Sequence, residues 1–390
     1  MTRRAGRRQA AALPLLSIIG LAGCGSGTST TATGSGSLPP TTPAVTSTST
    51  TTTATSTATA QPTHVLWVTQ GAGAQQIRAV DLSGAGAHTV ASIPADAVVL
   101  GAGRARVAVA WSDHTIHMID IASGVSTTYD GGGDQLFGGA FSPDDSQFAY
   151  VVVTSSPLGG SLRVVALASH SVTTLRTFSG NPLDVPTVWA SDAFAGTAIV
   201  AFADAGPQAA VRMDPHNGNR LAVSNTAGST GPHFSRDALH AGDAIHSALG
   251  DDADAAPGPG PQGPFNTLRT FTVGSAPTSV LQEAHHNIGI MAVSDDGTAI
   301  AWYDDSAAGG FAGISLNDNF GLLLLHSGVK TNLHHLDGRF DAGVFTHDQS
   351  LVVAKHSGSA EMLQLFANGH DGVTIDSVTP ASGAGQVALF

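Results

Sequence analysis

FSPDDSQFAYVVV, residues 141–153, reads as an aromatic and a small residue, an acidic turn, and then a strand. The phrase returns as WASDAFAGTAIVAF at 189–202, FSRDALHAGDAI at 234–245, VSDDGTAIAWY at 293–303 and FTHDQSLVVAK at 345–355. A degenerate copy, LGAGRARVAVAW, stands at 100–111. Self-similarity at a spacing of about 45 to 59 residues marks a repeat architecture, each repeat being one supersecondary unit that buries its apolar faces against its neighbours.

Each copy is followed by a second pair of strand-like segments: HTIHMIDIASGVSTTY at 114–129, SLRVVALASHSVTTL at 161–175, AAVRMDPHNGNRLAV at 209–223 and FGLLLLHSGVKTNL at 320–333. Two strands joined by a short polar turn fit them. A unit therefore supplies four antiparallel strands, the content of one propeller blade. Continuous apolar runs, Val151 to Val153 and Leu322 to Leu325, suit strands buried on both faces. Gly and Pro recur too often for helical segments between strands.

Six units span 97–380, while LWVTQGAGAQQIRAVDLSGAGAHTVASI at 66–93 offers three strands and Gln386 to Phe390 one more. Joined, these ends make a seventh blade and leave no long open edge. The stretch from His64 onward, divided by seven, gives about 47 residues per unit. The expected fold is an all-β β-propeller of seven four-stranded blades, closed by pairing of the N- and C-terminal strands.

The start of the chain carries an address. Arg3, Arg4, Arg7 and Arg8 precede an apolar run from Ala10 to Ala22 that ends in Leu21-Ala22-Gly23-Cys24. The run is about 13 residues, short of the roughly 20 that a bilayer-spanning helix needs, and suits a cleaved signal peptide. Its last four residues resemble the bacterial lipoprotein consensus. The resemblance implies lipidation of Cys24, cleavage on its amino side and a chain held at the membrane by several acyl groups. From Gly25 to Thr63 the sequence is nearly all Thr, Ser, Ala, Gly and Pro without a charge, and cannot build a core. The domains expected are a signal peptide at 1–23, a lipidated and disordered tether at 24–63 and the propeller at 64–390. Cys24 is the one cysteine, so no disulfide is available to the exported domain.

Charge excludes one class of partner. The formal net charge is −13, and loss of the four leader arginines makes it four units more negative. Phosphate backbones are repelled, and no run of Lys or Arg offsets this in the mature chain. Nucleic acid is therefore not expected as a partner.

FSPDDSQFAY and VSDDGTAIAW are similar to the repeats of Tol-type periplasmic propellers, while HTIHMIDIASG and QIRAVDLSG resemble YVTN-type repeats of surface-layer and lactonase-like propellers. The resemblance covers most of 64–390 and specifies fold more than ligand. Departures include the lack of an α/β domain before the propeller and of the Gly-His and Trp-Asp signature of WD repeats. SDDGTAIAW at 294–302 approaches the sialidase Asp-box but misplaces its Gly and Thr.

No Gly-x-Ser-x-Gly elbow, His-Glu-x-x-His, phosphate loop or dinucleotide fingerprint occurs. The Asp residues at 144–145, 237, 295–296 and 348 fall where blade turns are expected, and turn chemistry accounts for them. Histidine is dense at His285-His286, at His334-His335, at His114 and His117, and in the series His233, Asp237, His240, Asp243, His246. Adjacent residues in a strand face opposite ways, so scattered surface histidine is preferred to a metal centre. GDDADAAPGPGPQGPF at 250–265 reads as an insertion, and Asp251, Asp252 and Asp254 lack the later ligands of a calcium loop.

Cys24, as lipidation site, is the one site residue assigned, and no catalytic residue, metal or cofactor is. The function expected is an exported, lipid-anchored binding or scaffold module for a cell-envelope protein or glycan. The alternatives are a lactonase-like hydrolase with a divalent metal at the central funnel, and a small-molecule or metal sensor.

Overall fold

The computed structural model describes residues 64–70, 73–190, 192–200, 209–226, 233–234, 246–251, 267–282, 288–294, 297–304, 319–324, 329–335, 339–346, 348–357, 359–367, 372–379 and 383–389. The leader, Cys24, the Thr-rich segment and most of the stretch 250–265 lie outside them. Among the described residues every regular element is a strand, and no helix is long and apolar enough to cross a membrane.

The strands form four-stranded antiparallel sheets. In chain order, the second sheet is Val98–Ala102, Arg106–Ala110, Thr115–Asp120 and Ser126–Asp130. The third is Gln135–Phe141, Gln147–Ser155, Leu158–Ala166 and Ser171–Ser179, and the fourth Leu183–Trp189, Phe194–Ile199, Ala209–Met213 and Arg220–Asn225. The fifth is His233–Phe234, His246–Asp251, Thr267–Thr272 and Thr278–Gln282. The sixth is Ile288–Val293, Ala299–Asp304, Asn319–Leu324 and Val329–His335, and the seventh Arg339–Phe345, Leu351–Ser357, Ala360–Phe366 and Val373–Val378. The first sheet is composite: Gly383–Leu389 pairs with His64–Gln70, followed by Ala74–Asp81 and His88–Pro94.

The second strand of the third sheet is apolar on both faces because it is covered twice. Phe148, Tyr150 and Val152 turn toward the second sheet and pack with Ile116 and Met118, while Val151 and Val153 turn toward the fourth and pack with Phe194 and Met213. Similar clusters join the other sheets. Leu66 and Ile77 meet Val107 and Ile119, Ala195 meets Phe234 and Phe271, Leu268 meets Ile290 and Trp302, and Met291 meets Phe345 and Phe366. Val352 and Leu363 of the seventh sheet pack with Val65 and Trp67 of the first. Each valine or leucine so buried contributes about 1.5–3 kcal/mol.

Polar clamps reinforce the packing. Asp376, on the outer strand of the seventh sheet, accepts from Arg78 Nε at 2.8 Å, Arg78 Nη2 at 3.0 Å and Trp67 Nε1 at 2.9 Å, all from the first sheet. Asp184, fully buried, accepts from Arg176 and Arg220 at 2.7–2.8 Å.

One boundary differs from the sequence reading. Gly250 and Asp251, taken as the start of an insertion, are strand residues paired with Leu268 and Thr267. The ladder with Thr267–Thr272 carries the strand into the acidic segment, where composition alone suggests a loop.

Candidate functional site

The first strands of most neighbouring sheets lie against one another, and each pairs within its own sheet on one side only. Three of them, in the second, third and fourth sheets, wall a cavity of about 220 Å³. Each has one extra residue, marked by register shifts between Val99 and Gly101, Phe137 and Gly139, and Pro186 and Val188. The extra residues, Leu100, Gly138 and Thr187, all line the cavity. Bulges bend an edge strand and re-aim its side chains, which opens a concavity where regular strands would close on each other.

Small residues permit the close approach behind it. A Cβ on Gly101 would lie 2.6 Å from the Gly139 carbonyl oxygen of the next sheet, and one on Gly138 would lie 2.8 Å from Val185 Cγ1 of the sheet after that. The walls are otherwise Leu100, Phe141, Val188 and Trp189, with Arg104, Ser142, Thr187 and Asp145 as polar groups. Trp189 is braced edge-on by Phe194, the ring centroids 4.5 Å apart.

Asp145 sits beside the cavity in the turn of FSPDD. Its φ is 53° and its side chain is turned back to the preceding sheet, where a carboxylate oxygen accepts the Ala105 amide at 2.6 Å. Arg106 Nη1 donates to the Asp145 carbonyl at 3.1 Å. Burial pushes the Asp145 carboxyl above the usual range, against the backbone donors of Ala105 and Arg104 and the charges of Arg104 and Arg106. Asp144, one residue earlier, is shifted the other way. Ser142 Oγ donates to it at 2.7 Å, as do the Ser146 hydroxyl and amide, and these bonds hold its carboxyl below the usual range.

The same turn recurs at Thr346–Ser350. Asp348 accepts from the Thr346 hydroxyl and the Ser350 amide, and Gln349, with φ 62°, donates through Nε2 to Thr298 Oγ1 of the preceding sheet at 3.0 Å. Asp144 and Asp348 are thus turn residues, as their spacing suggests.

The histidines are dispersed. His114 lies in a turn with φ 66°, while His117 is buried on the following strand. The His117 ring stacks on Trp111 at 3.6 Å and shares hydrogen bonds with Thr115 and Ser126 at 3.1 Å. Burial holds its imidazole below the usual 6.5, opposed by the nearby charge of Asp113. His334 and His335 are consecutive on one strand, and His233 and His246 are on paired neighbours. Asp237, His240, Asp243, His285 and His286 lie outside the described residues, as do Asp295, Asp296, Asp252 and Asp254. Among the described residues no group of three or more His, Cys, Asp or Glu is placed to hold a metal ion.

Arg104, Thr187 and Trp189 were not singled out by sequence. Arg104 is in the degenerate copy at 100–111, and Trp189 occupies the aromatic position that opens the repeated phrase. Their convergence depends on strand register, which the repeated phrase does not specify.

The sequence matches no protein-family model and no curated protein. Solved structures do resemble it. A prolyl endopeptidase is similar with a TM-score of 0.55 at 10% identity, over 83% of this chain and 50% of that one, so the chain spans about half of that enzyme. Oligogalacturonate lyase in complex with manganese is similar at 0.50 and 15% identity, over 81% of this chain and 85% of the other. TolB from Acinetobacter baumannii gives 0.41 at 15% identity, over 83% and 81%. At these identities the likeness is one of fold, and with the stacked four-stranded sheets it makes this chain a β-propeller.

Proposed function

We propose that the chain is a membrane-tethered extracytoplasmic propeller that serves as a binding or scaffold module for a protein or glycan of the cell envelope. In this reading it has seven blades, and the pairing of Gly383–Leu389 with His64–Gln70 closes the ring. The observation that carries the binding role is the cavity between three bulged first strands, whose lining is about half apolar and half polar. The leader and Cys24 supply the address, with domains at 1–23, 24–63 and 64–390.

In-cell cross-linking of the full chain, read by mass spectrometry against Cys24→Ala and Trp189→Ala chains, tests it. The wild type is expected in the membrane fraction with a defined partner. Cys24→Ala leaves that fraction, and Trp189→Ala stays there but loses the partner. Identical cross-links in wild type and Trp189→Ala, at equal abundance, would remove the cavity from the binding role.

A further inference from the structure

We infer that the cavity is a subsite for a small, ring-bearing carboxylate, with Arg104 as its counter-ion. This names a ligand class for the binding reading above and rests on it.

Arg78, Arg176, Arg212 and Arg220 are each ion-paired with an aspartate at 2.7–2.8 Å. Arg106 and Arg163 donate to backbone carbonyls at 3.1 Å. Arg269 is also engaged. Arg104 is exposed at the cavity, and among the described arginine side chains it alone makes no hydrogen bond or ion pair. In a chain with 29 acidic and 16 basic residues, carboxylate partners abound, so a guanidinium left open beside a cavity stands out.

Asp145 is the obvious internal competitor, and its geometry removes it. Its carboxylate already accepts the Ala105 amide at 2.6 Å and packs closely against Gly103. It lies near enough to feel the charge of Arg104 without taking its donors. The planar five-donor fork of Arg104 therefore remains available, and that fork matches a carboxylate in two parallel bonds.

Leu100, Phe141, Val188 and Trp189 supply the apolar part of the lining, about half of it, and the braced Trp189 ring offers a flat surface on which another ring stacks or packs by its edge. A volume of about 220 Å³ corresponds to roughly seven water molecules, room for a ligand of roughly ten non-hydrogen atoms. A bare carboxylate leaves the apolar half of this wall uncovered, whereas a ring with one carboxylate covers both halves. The bulges also disrupt the regular edge that an added peptide strand would need, which favours a compact ligand over an extended one.

The test uses 4-fluorobenzoate as probe and 4-fluorobenzyl alcohol as its uncharged counterpart, followed by fluorine NMR on the full chain in detergent. An Arg104→Gln chain in the same detergent sets the background for partition into micelles. Wild type is expected to broaden 4-fluorobenzoate saturably. Arg104→Gln should weaken this about tenfold or more, and Arg104→Lys, which keeps the charge and loses the fork, should weaken it less. Binding of the alcohol should be weak and indifferent to Arg104, while Trp189→Ala should lower both. Equal benzoate binding by wild type and Arg104→Gln, with both chains folded by circular dichroism, overturns the inference. So does the absence of saturable broadening in wild type up to about 10 mM. If benzoate binds through Arg104 while the envelope cross-links are unaffected by Trp189→Ala, the carboxylate site stands and the cavity takes no part in holding the envelope partner. The converse pattern rejects the carboxylate site and keeps the scaffold.

Discussion

Asp184 is fully buried beneath two guanidinium groups whose side chains are about a third exposed, at 31% and 33%. Removing the carboxylate leaves arginines that water can still reach, so the loss falls at the lower end for a buried ion pair. Asp184→Ala is expected to destabilise the domain by about 3 kcal/mol, measured by urea unfolding. His117 acts in the opposite charge state. Its imidazole is held below 6.5 when folded, so the neutral form is favoured in the native chain. The stability it contributes is present above 6.5 and is lost as pH falls through that value toward the folded pKa. Urea midpoints at about pH 7.5 and 5.5 should drop for wild type and drop less for His117→Phe; parallel drops would show that another group governs the acid limb. Neither residue was legible as a structural determinant. His117 was visible as a candidate ligand, but its stack on Trp111 depends on a turn at His114 that composition does not specify. Asp144 and Asp348 were legible, because a short carboxylate between hydroxyl residues has a local bonding pattern that needs no tertiary contact.

At the scale of elements, the repeated four-strand unit could be read because its turns and alternating apolar runs recur in the sequence. The irregularities could not. Every register shift among the described ladders involves the first or the last strand of a sheet, while the central pair runs without one. The bulges therefore fall on strands with a free edge, where they twist the exposed backbone away from unwanted pairing and, in three neighbouring sheets, open the cavity. Pro186 fits this pattern, since an edge strand at a bulge tolerates a residue with no amide to donate. Gly101 is tied to the same geometry. The oxygen that its Cβ would meet belongs to the backbone of the next sheet and cannot rotate aside. Gly101→Ala is expected to cost about 1–3 kcal/mol and lower the melting temperature, whereas an unchanged melting curve would show that the first strands slide apart freely.

For the whole molecule, the decisive contact joins the first and the last of the described strands. Gly383–Leu389 covers one side of His64–Gln70, and Asp376 fastens the seventh sheet to Arg78 and Trp67 of the first. A chain ending at residue 382 should expose the His64–Gln70 edge, melt at lower temperature and self-associate on size-exclusion chromatography. A monomer with an unaltered melting point would mean that this pairing adds nothing to the fold. The terminal arrangement has a further consequence, in time. Among the described strands, His64–Gln70 is made first and its neighbour Gly383–Leu389 last. At roughly 5–20 residues per second, the intervening chain takes on the order of 15 to 60 s to make, and throughout that interval the opening strand has no partner on one side. Of the described strands, the one made first waits for the one made last, and whatever shields it during that wait belongs to the biogenesis of this protein as much as the sequence does.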